Sequence, residues 1–280
     1  MPEIPQRSGV LTEPETTKLR MTIKASEILA SAIKRHDRFA LQFSGGKDSL
    51  ACLYLLKPWW DRLIVLWGNA GDEYPETREQ MEQLKVCVAE FHEIRGYAAL
   101  DNAKAFPVDL LPIKATELGR MIEPDAGPLM QSRYDCCWRN IYAPMTAKVK
   151  ELGITLLIRG QRDDESQRAP IENGSLDPSG AEICLPIHDW TKVGVMAYLK
   201  EVGAPIPRQY QYGMASLGCM HCTAYTADSA NKLLYLHDFH REAAKEYLRR
   251  MEMIRDEQAK MLRLVDIALC NIDGDEGIGD

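Results

Sequence analysis

The sequence predicts an α/β protein in which a mostly parallel β-sheet is flanked by helices and followed by a helical C-terminal segment. Short apolar runs at 39–43, 63–67 and 154–158 end at polar or glycine-containing turns, as buried strands do. Segments with apolar residues at helical spacing lie between these runs. Strands that alternate with helices in this way form parallel sheets that are covered on both faces.

The individual elements follow from local patterns along the chain. The strands are expected at 39–43, 63–67, 92–95, 154–158 and 183–187. The helices are expected at 21–36, 48–56, 75–91, 138–152, 191–201 and 227–269, with Thr191 as an N-cap. The segments 96–135, 161–180 and 203–222 are rich in proline, glycine and charge, and we expect them to be irregular.

The expected domain organisation has four parts. They are a flexible arm over 1–20, an α/β domain over 21–226, a helical segment over 227–270 and a disordered acidic tail over 271–280. The apolar stripe from Ala244 to Val265 indicates a helix that packs on the core or pairs with a partner, such as a second copy of the chain.

Composition narrows the class of protein. The 280 residues carry 34 basic and 41 acidic side chains, which gives a net charge of −7. This charge argues against a protein that binds long nucleic acids through an overall positive surface. The net charge does not exclude a local basic pocket that binds a nucleotide. The sequence shows neither a signal peptide nor a membrane-spanning run, and we expect a cytoplasmic protein. In a reducing compartment, the eight cysteines are expected to be metal ligands, redox-active thiols or buried free thiols rather than partners in disulfide bonds.

A candidate phosphate site follows the first predicted strand. The string Ser44, Gly45, Gly46, Lys47, Asp48 and Ser49 connects that strand to a helix. Two glycines let the backbone approach an anion closely, and the free N–H groups of the first helical turn point towards it. It is not a Walker A loop, because that pattern needs glycine where Leu41 stands and serine or threonine at Asp48. The alternative is a plain strand-to-helix turn.

This string resembles the PP-loop of the N-type ATP pyrophosphatases, which cleave ATP between the α and β phosphates and adenylate a substrate. Further segments resemble the PAPS/APS reductase branch of that superfamily: 69–77, 160–168, 186–190 and 216–223. The resemblance runs in order from about residue 38 to 226. It implies an adenine nucleotide alpha hydrolase-like, Rossmann-like fold.

The segment 160–168 also contains two arginines, which indicate an anion-binding loop independently of the resemblance. Arginines on a loop after a strand suit bidentate contacts to phosphate or sulfate, although a solvated charged loop is the alternative. The resemblance implies a substrate-binding role for six residues: Arg139, Gly160, Arg162, Glu165, Ser166 and Arg168.

The cysteines form a second constellation. Cys136 and Cys137 are adjacent, and Cys219 and Cys222 form a C-x-x-C motif 83 positions further on. Adjacent cysteines on a regular strand diverge, so a helical turn is needed to aim both at one point. The arrangement resembles the [4Fe-4S] site of the APS reductase subset. A structural zinc site and unliganded buried thiols are the alternatives.

One motif of the sulfonucleotide reductases is absent from this sequence. Sulfonucleotide reductases end in an E-C-G-x-H segment whose cysteine attacks sulfur, whereas Cys270 is the one cysteine after Cys222 in this sequence. Its acidic neighbours make it a weak candidate for the catalytic thiol. The complete PP-loop string is typical of members that bind ATP, and Asp48 and Asp72 are candidate Mg²⁺ contacts.

The sequence therefore favours an ATP pyrophosphatase-type, adenylating sulfurtransferase with a [4Fe-4S] cluster. Its expected partners are an adenine nucleotide, a sulfur donor, and a nucleic-acid acceptor or a partner protein. One alternative is a reductase of adenylyl sulfate (APS) or phosphoadenylyl sulfate (PAPS) that forms sulfite. Another is a non-catalytic nucleotide sensor.

Overall fold

The structure is a computed structural model that describes residues 13–124, 127–165 and 169–273. By its internal contacts it divides into two compact units. The first unit comprises the described residues up to Trp67, together with Gln83–His92 and Val149–Ile206. The second comprises Gly68–Glu82, Glu93–Lys148 and the described residues from Pro207 onward.

Seven strands are present among the described residues. They are β1 Phe39–Phe43, β2 Ile64–Asn69, β3 Glu90–Arg95, β4 Ala105–Val108, β5 Leu129–Ser132, β6 Leu156–Ile158 and β7 Glu182–Cys184. Five of them form one sheet in the order β3-β2-β1-β6-β7. The pairs β1–β2, β1–β6 and β6–β7 are parallel, with Ala40 opposite both Ile64 and Leu157. The predicted parallel α/β sheet is confirmed.

Ten α-helices accompany the strands in the described part of the chain. They are α1 Glu13–Lys34, α2 Lys47–Leu55, α3 Pro75–Lys85, α4 Ala98–Lys104, α5 Glu117–Ile122, α6 Arg133–Cys137, α7 Ala143–Glu151, α8 Lys192–Glu201, α9 Ser229–Phe239 and α10 Arg241–Asp273. The Thr191 cap is present, because its Oγ accepts a hydrogen bond from Gly194 N at 3.1 Å.

Two helix boundaries differ from the prediction. α1 begins at Glu13, inside the segment expected to be an arm, because Pro14 falls in the first turn, where a helix tolerates proline. α3 ends at Lys85 rather than at residue 91. Ala89 N and Glu90 N donate to the carbonyl oxygens of Trp60 and Leu63, so backbone pairing overrides the helical pattern there.

The segment 96–135 is more ordered than predicted. It contains α4, α5 and α6, and β4 pairs in parallel with β5, placing Phe106 opposite Met130. The prolines that suggested irregular structure are compatible with this two-stranded sheet, because edge strands tolerate a missing N–H.

The C-terminal segment is helical, as predicted, but it is interrupted at His240, between α9 and α10. Buried residues of α9 and α10, Tyr235 and Tyr247 among them, share one core cluster with Tyr74. Residues 274–280, in the expected acidic tail, lie outside the described part. Among the residues that the structure describes, no helix has the length and apolar character that crossing a membrane requires.

Candidate functional site

The phosphate-loop site lies in the first unit, between β1 and α2. Gly45 has φ 78°, a left-handed conformation that favours glycine. Gly46 precedes the helix, and no side chain of the described residues caps it there. The hydroxyls of Ser44 and Ser49 lie 3.1 Å apart, and Ser49 Oγ donates to Gly46 O at 3.0 Å. The loop therefore has a fixed shape, with the positive end of α2 uncapped by any of these side chains.

Three charged side chains are arranged behind this loop. Lys47 and Arg162 are each only 4% exposed. Lys47 Nζ donates to Asp48 Oδ2 at 2.7 Å, and Arg162 Nε donates to Asp48 Oδ1 at 2.7 Å. The structure thus joins the predicted loop to the predicted arginine of the 160–168 segment. Both oxygens of Asp48 have partners, so its Mg²⁺ role stays a prediction.

Gly160 explains how the two segments come so close. A Cβ atom at this position would lie 2.6 Å from the carbonyl carbon of Asp48 and 2.7 Å from Ser49 N. These are backbone atoms that cannot yield as a flexible side chain does. Glycine is therefore required where the end of β6 lies against the first turn of α2.

Glu165 lies close to the same charges. Burial, and then the neighbouring Asp48 carboxylate, raise the pKa of Glu165, while Arg162 and Lys47 oppose the shift. Its carboxylate lies 3.8 Å from Arg162. Ser166 and Arg168, also predicted to bind substrate, lie outside the described residues.

The cysteine site lies in the second unit. Cys136 and Cys137 are the last two residues of α6, and a π-helical turn, Trp138–Tyr142, follows them. Cys219 and Cys222 bound a turn in which Cys222 N donates to Cys219 O at 3.2 Å. All four cysteines line one small cavity of about 20 Å³. The structure brings together the four residues that the spacing singled out, and it places the adjacent pair on a helical turn as expected.

The donor set of this cavity suits a soft metal or an iron–sulfur group. Burial, followed by the neighbouring Cys137 and Cys222, raises the pKa of Cys136 to about 12. Burial and Cys222 raise the pKa of Cys137 to about 11, against the influence of Arg133. Thiols that perturb one another in this way would be stabilised as thiolates by a shared cation. In the described part of the chain, no three His, Cys, Asp or Glu side chains form a ready metal-binding group, so the ligand role stays a prediction.

Asn140 supports the cysteine helix, and the sequence analysis missed it. It is 3% exposed, and its Nδ2 donates to Cys136 O at 3.0 Å and to Asp101 Oδ2 at 2.9 Å. Its Oδ1 accepts from Tyr97 N at 2.5 Å. The sequence signal for this role is an asparagine four residues, or about one helical turn, after Cys136.

Arg139, predicted to contact substrate, lies at the surface of the second unit. Its Nη2 donates to Gln131 Oε1 at 2.6 Å and lies 3.4 Å from Asp101 Oδ2. With Gln131 and Asp135 it borders a surface pocket of about 450 Å³. Its substrate role stays a prediction.

Two charged residues hold the turn between Cys219 and Cys222, and sequence reasoning assigned neither role. Asp72 accepts from His221 N at 2.8 Å, and its other carboxylate oxygen lies 2.8 Å from His221 Nδ1. Lys232 Nζ donates to Cys219 O at 2.7 Å and Cys222 O at 2.8 Å. Because both oxygens of Asp72 face His221, Mg²⁺ binding there would break these contacts.

The remaining cysteines lie elsewhere in their units. Cys52 and Cys184 are buried, whereas Cys87 is exposed just after α3. Cys270, the weak candidate for a catalytic thiol, is exposed on α10.

Comparison with known proteins identifies the family of the chain. The sequence profile of the phosphoadenosine phosphosulfate reductase domain matches residues 38–225. An adenosine 5′-phosphosulfate reductase from Burkholderia cepacia is 30% identical over 34% of this chain, which spans only 38% of that relative. Another, from Deinococcus radiodurans, is 28% identical over 57% of this chain, which spans only 56% of that relative. A phosphoadenosine 5′-phosphosulfate reductase from Vibrio vulnificus is 25% identical over 72% of this chain and 73% of its own.

A solved structure shows the same fold. Phosphoadenylyl-sulfate reductase from Candida auris, in a phosphate complex, aligns with a TM-score of 0.52 and 17% identity, covering 76% of this chain and 98% of that one. Because the domain profile covers well over half of the sequence, the chain belongs to the phosphoadenosine phosphosulfate reductase domain family.

Proposed function

We propose that this chain is an ATP-dependent, adenylating sulfurtransferase whose four cysteines hold a [4Fe-4S] cluster. The observation that carries the proposal is the phosphate-loop site, where an α2 N-terminus without a side-chain cap stands beside two buried cations, Lys47 and Arg162. Such a site suits the several negative charges of a nucleotide triphosphate.

The residues of the phosphate-loop site would act by holding charge in place. The first-turn amides of α2 would donate to phosphate oxygens, and the Ser44 and Ser49 hydroxyls would have to turn from their present hydrogen bonds to do the same. Mg²⁺ accompanies ATP in this chemistry, and Asp48 is the carboxylate that would hold it. Lys47 and Arg162, now paired with Asp48, would then be able to contact phosphate oxygens.

The reaction is a transfer of the adenylyl group. An acceptor oxygen attacks the α-phosphorus, the bond from that phosphorus to the bridging oxygen breaks, and pyrophosphate leaves with the electron pair. The acceptor loses its proton to solvent. A sulfur nucleophile then displaces AMP from the acceptor carbon. The buried, fixed cations would stabilise the charge that develops on the leaving pyrophosphate.

Four thiols around one cavity support the cluster half of the proposal. Cys136, Cys137, Cys219 and Cys222 would be its ligands. When bound, such a cluster supplies redox-active iron and sulfide. A reducing compartment such as the cytoplasm keeps these thiols unoxidised, and we propose that location. The acceptor would be a nucleic acid or a substrate carried by a partner protein.

A second candidate function is reduction of APS or PAPS to sulfite. The observation that favours this function is that the three curated relatives are named as reductases of these two nucleotides. In that reaction the exposed Cys270, or a thiol from another protein, would attack the sulfur.

The deciding experiment compares nucleotides with one anaerobic preparation. The chain is incubated with ATP, Mg²⁺ and sulfide as the sulfur donor, with and without total tRNA or DNA, and separately with APS or PAPS and a dithiol. Release of pyrophosphate and AMP from ATP, slower in Lys47→Ala when ATP is below saturation, is the expected result. Sulfite release from APS or PAPS without ATP cleavage would instead establish the reductase. Tight nucleotide binding without any turnover would overturn both in favour of a sensor.

A further inference from the structure

Lys232 on α9 has unusual surroundings for a lysine. Its side chain is 7% exposed, and Nζ donates to the carbonyl oxygens of both Cys219 and Cys222. Nζ also lies 5.1 Å from the centre of the Tyr247 ring. One buried ammonium group therefore ties together the two ends of the C-x-x-C turn.

The direct partners of this cation are neutral. They are two carbonyl groups and an aromatic face, and in the described part of the chain no carboxylate forms an ion pair with Lys232. Burying a cation costs free energy unless a negative charge compensates it. The groups that can supply such a charge are, in order of their effect on Lys232, the thiols of Cys222 and Cys219 and then the carboxylates of Asp72 and Asp228.

A group bound by four thiolates has the required sign. Four thiolates bring four negative charges, and a doubly charged zinc ion or cluster core cancels about half of them. The net negative charge would lie next to the ammonium of Lys232. The cysteine site and Lys232 thus compensate each other only when the thiols are ionised.

Asp72 provides an internal comparison for this charge effect. It is 5% exposed, and its carboxylate holds the same turn through His221 N and Nδ1, while its carbonyl accepts from Met220 N at 2.7 Å. Two buried side chains of opposite charge therefore fix one turn from two directions. Their positioning effects are similar, but their electrostatic effects on a bound group are opposite.

We propose that Lys232 is the counter-charge of the group held by the four cysteines, and that Lys232 and Asp72 set the reduction potential of that group in opposite directions. A positive charge nearby stabilises the more negative, reduced state, so Lys232 raises the potential and Asp72 lowers it. The inference rests on the cluster part of the proposed function.

The test uses the whole chain, reconstituted anaerobically with iron and sulfide, as wild type, Lys232→Met and Asp72→Asn. A redox titration followed by visible absorption and electron paramagnetic resonance gives the potential. We expect a lower potential for Lys232→Met and a higher one for Asp72→Asn. Lys245→Met, which removes an exposed charge on α10, should leave the potential unchanged. Shifts in the same direction, or no shift with Lys232→Met, would overturn the proposal.

A second measurement covers the case in which a variant fails to assemble a cluster. Co²⁺ alone is titrated into the reduced chain and its thiolate absorption bands are recorded. Lys232→Met should bind Co²⁺ at least about tenfold more weakly than wild type, while Asp72→Asn should not. Equal affinity of wild type and Lys232→Met would contradict the counter-charge role. If the wild type itself takes up neither cluster nor Co²⁺, the cluster part of the proposed function fails instead.

Discussion

The phosphate-loop site and the cysteine site are built on opposite principles. The first presents backbone amides, and its shape depends on glycines: Gly45 turns the chain, and Gly160 admits a neighbouring segment. The second presents side-chain sulfur, and its shape depends on buried polar groups, namely Asn140, Asp72 and Lys232. Charges at the first are paired with one another, whereas Lys232 at the second contacts neutral carbonyls.

This difference has a physical consequence for how each site tolerates change. A backbone site fails when a side chain intrudes, because the amides are then displaced. A thiol site fails when a ligand or its charge balance is lost. The two sites should therefore respond to different substitutions.

The largest effect is expected from Cys136→Ser. Serine is a poor ligand for a soft metal, so the variant should lose most of its bound iron and sulfide. ATP binding should be retained, because the phosphate-loop site uses none of these thiols. Iron and sulfide assays on anaerobic protein measure the first effect, and calorimetric titration with ATP measures the second.

Cys87→Ser is the matched control, since Cys87 is exposed and lies outside the cavity. It should keep the iron content of the wild type. Full iron retention in Cys136→Ser, or parallel loss in both variants, would break the assignment of the cysteine site.

Gly160→Ala should produce the next largest effect. The added methyl group would lie 2.6 Å from backbone of the α2 first turn, which must then shift. We expect a loss of about 1–3 kcal/mol in the free energy of unfolding and ATP affinity at least about tenfold weaker. Denaturant unfolding and ATP titration are the measurements.

Gly194→Ala provides the control within the first unit. Its added Cβ would meet the flexible end of Met21 at 3.1 Å and make an ordinary contact with Thr191 Oγ1 at 3.5 Å, and alanine favours a helix such as α8. This variant should be as stable as wild type and bind ATP normally. If Gly160→Ala behaves in the same way, the close approach of β6 to α2 does not matter for the site.

Lys47→Ala should weaken ATP binding about tenfold, or about 1.4 kcal/mol, because the proposed charge-assisted contact of Lys47 with a phosphate oxygen is removed. The iron content should stay unchanged. Lys57→Ala removes an exposed charge in the same unit and should bind ATP as wild type does. Equal ATP affinity of the two variants would argue against a phosphate contact by Lys47.

The smallest effect concerns pH and the ion pairs of Glu246 on α10. Hydrogen bonding from Arg249, helped by Arg250, lowers the pKa of Glu246 to about 2. A lowered pKa in the folded state stabilises the protein above the unfolded value of about 4.3, and this contribution is lost as pH falls towards 2. Because about a third of the side chain is exposed, we expect less than about 1 kcal/mol.

Urea unfolding at pH 5 and pH 3 checks this value. Glu246→Gln should reduce the difference between the two pH values, whereas Glu242→Gln, whose side chain is almost fully exposed, should not. Identical pH dependence of wild type and Glu246→Gln would show that the ion pairs on α10 contribute nothing measurable.

The sequence was a good guide to the parts of the fold that follow from local pattern. Continuous apolar runs predicted β1 and β2, and the Ser44–Ser49 string predicted the start of α2. The pairing of β4 with β5 was missed, because proline at position 107 is a negative signal for a strand, and only tertiary contact shows that it is tolerated.

The candidate sites divide in the same way. Cys136 and Cys219 stand out in the sequence, and in the structure they line one cavity, while their role as ligands stays a prediction. The groups that hold them were not predictable. Lys232 follows Cys222 by ten residues on a separate helix, and Asp72 acts through His221, so neither contact leaves a short-range signature.

The π-helical turn at Trp138–Tyr142 has a consequence for how the chain length can vary. Such a turn accommodates one residue more than a regular α-helix does. Deleting one residue there would give a continuous α-helix from α6 to α7. Because the π-helical turn absorbs the extra residue, that deletion would leave Cys136 and Cys137 on the same side relative to α7, whereas a deletion in a regular α-helical turn would rotate them by about 100°. A single-residue gap at this place in a related sequence would therefore mark a protein whose adjacent cysteines keep their common target.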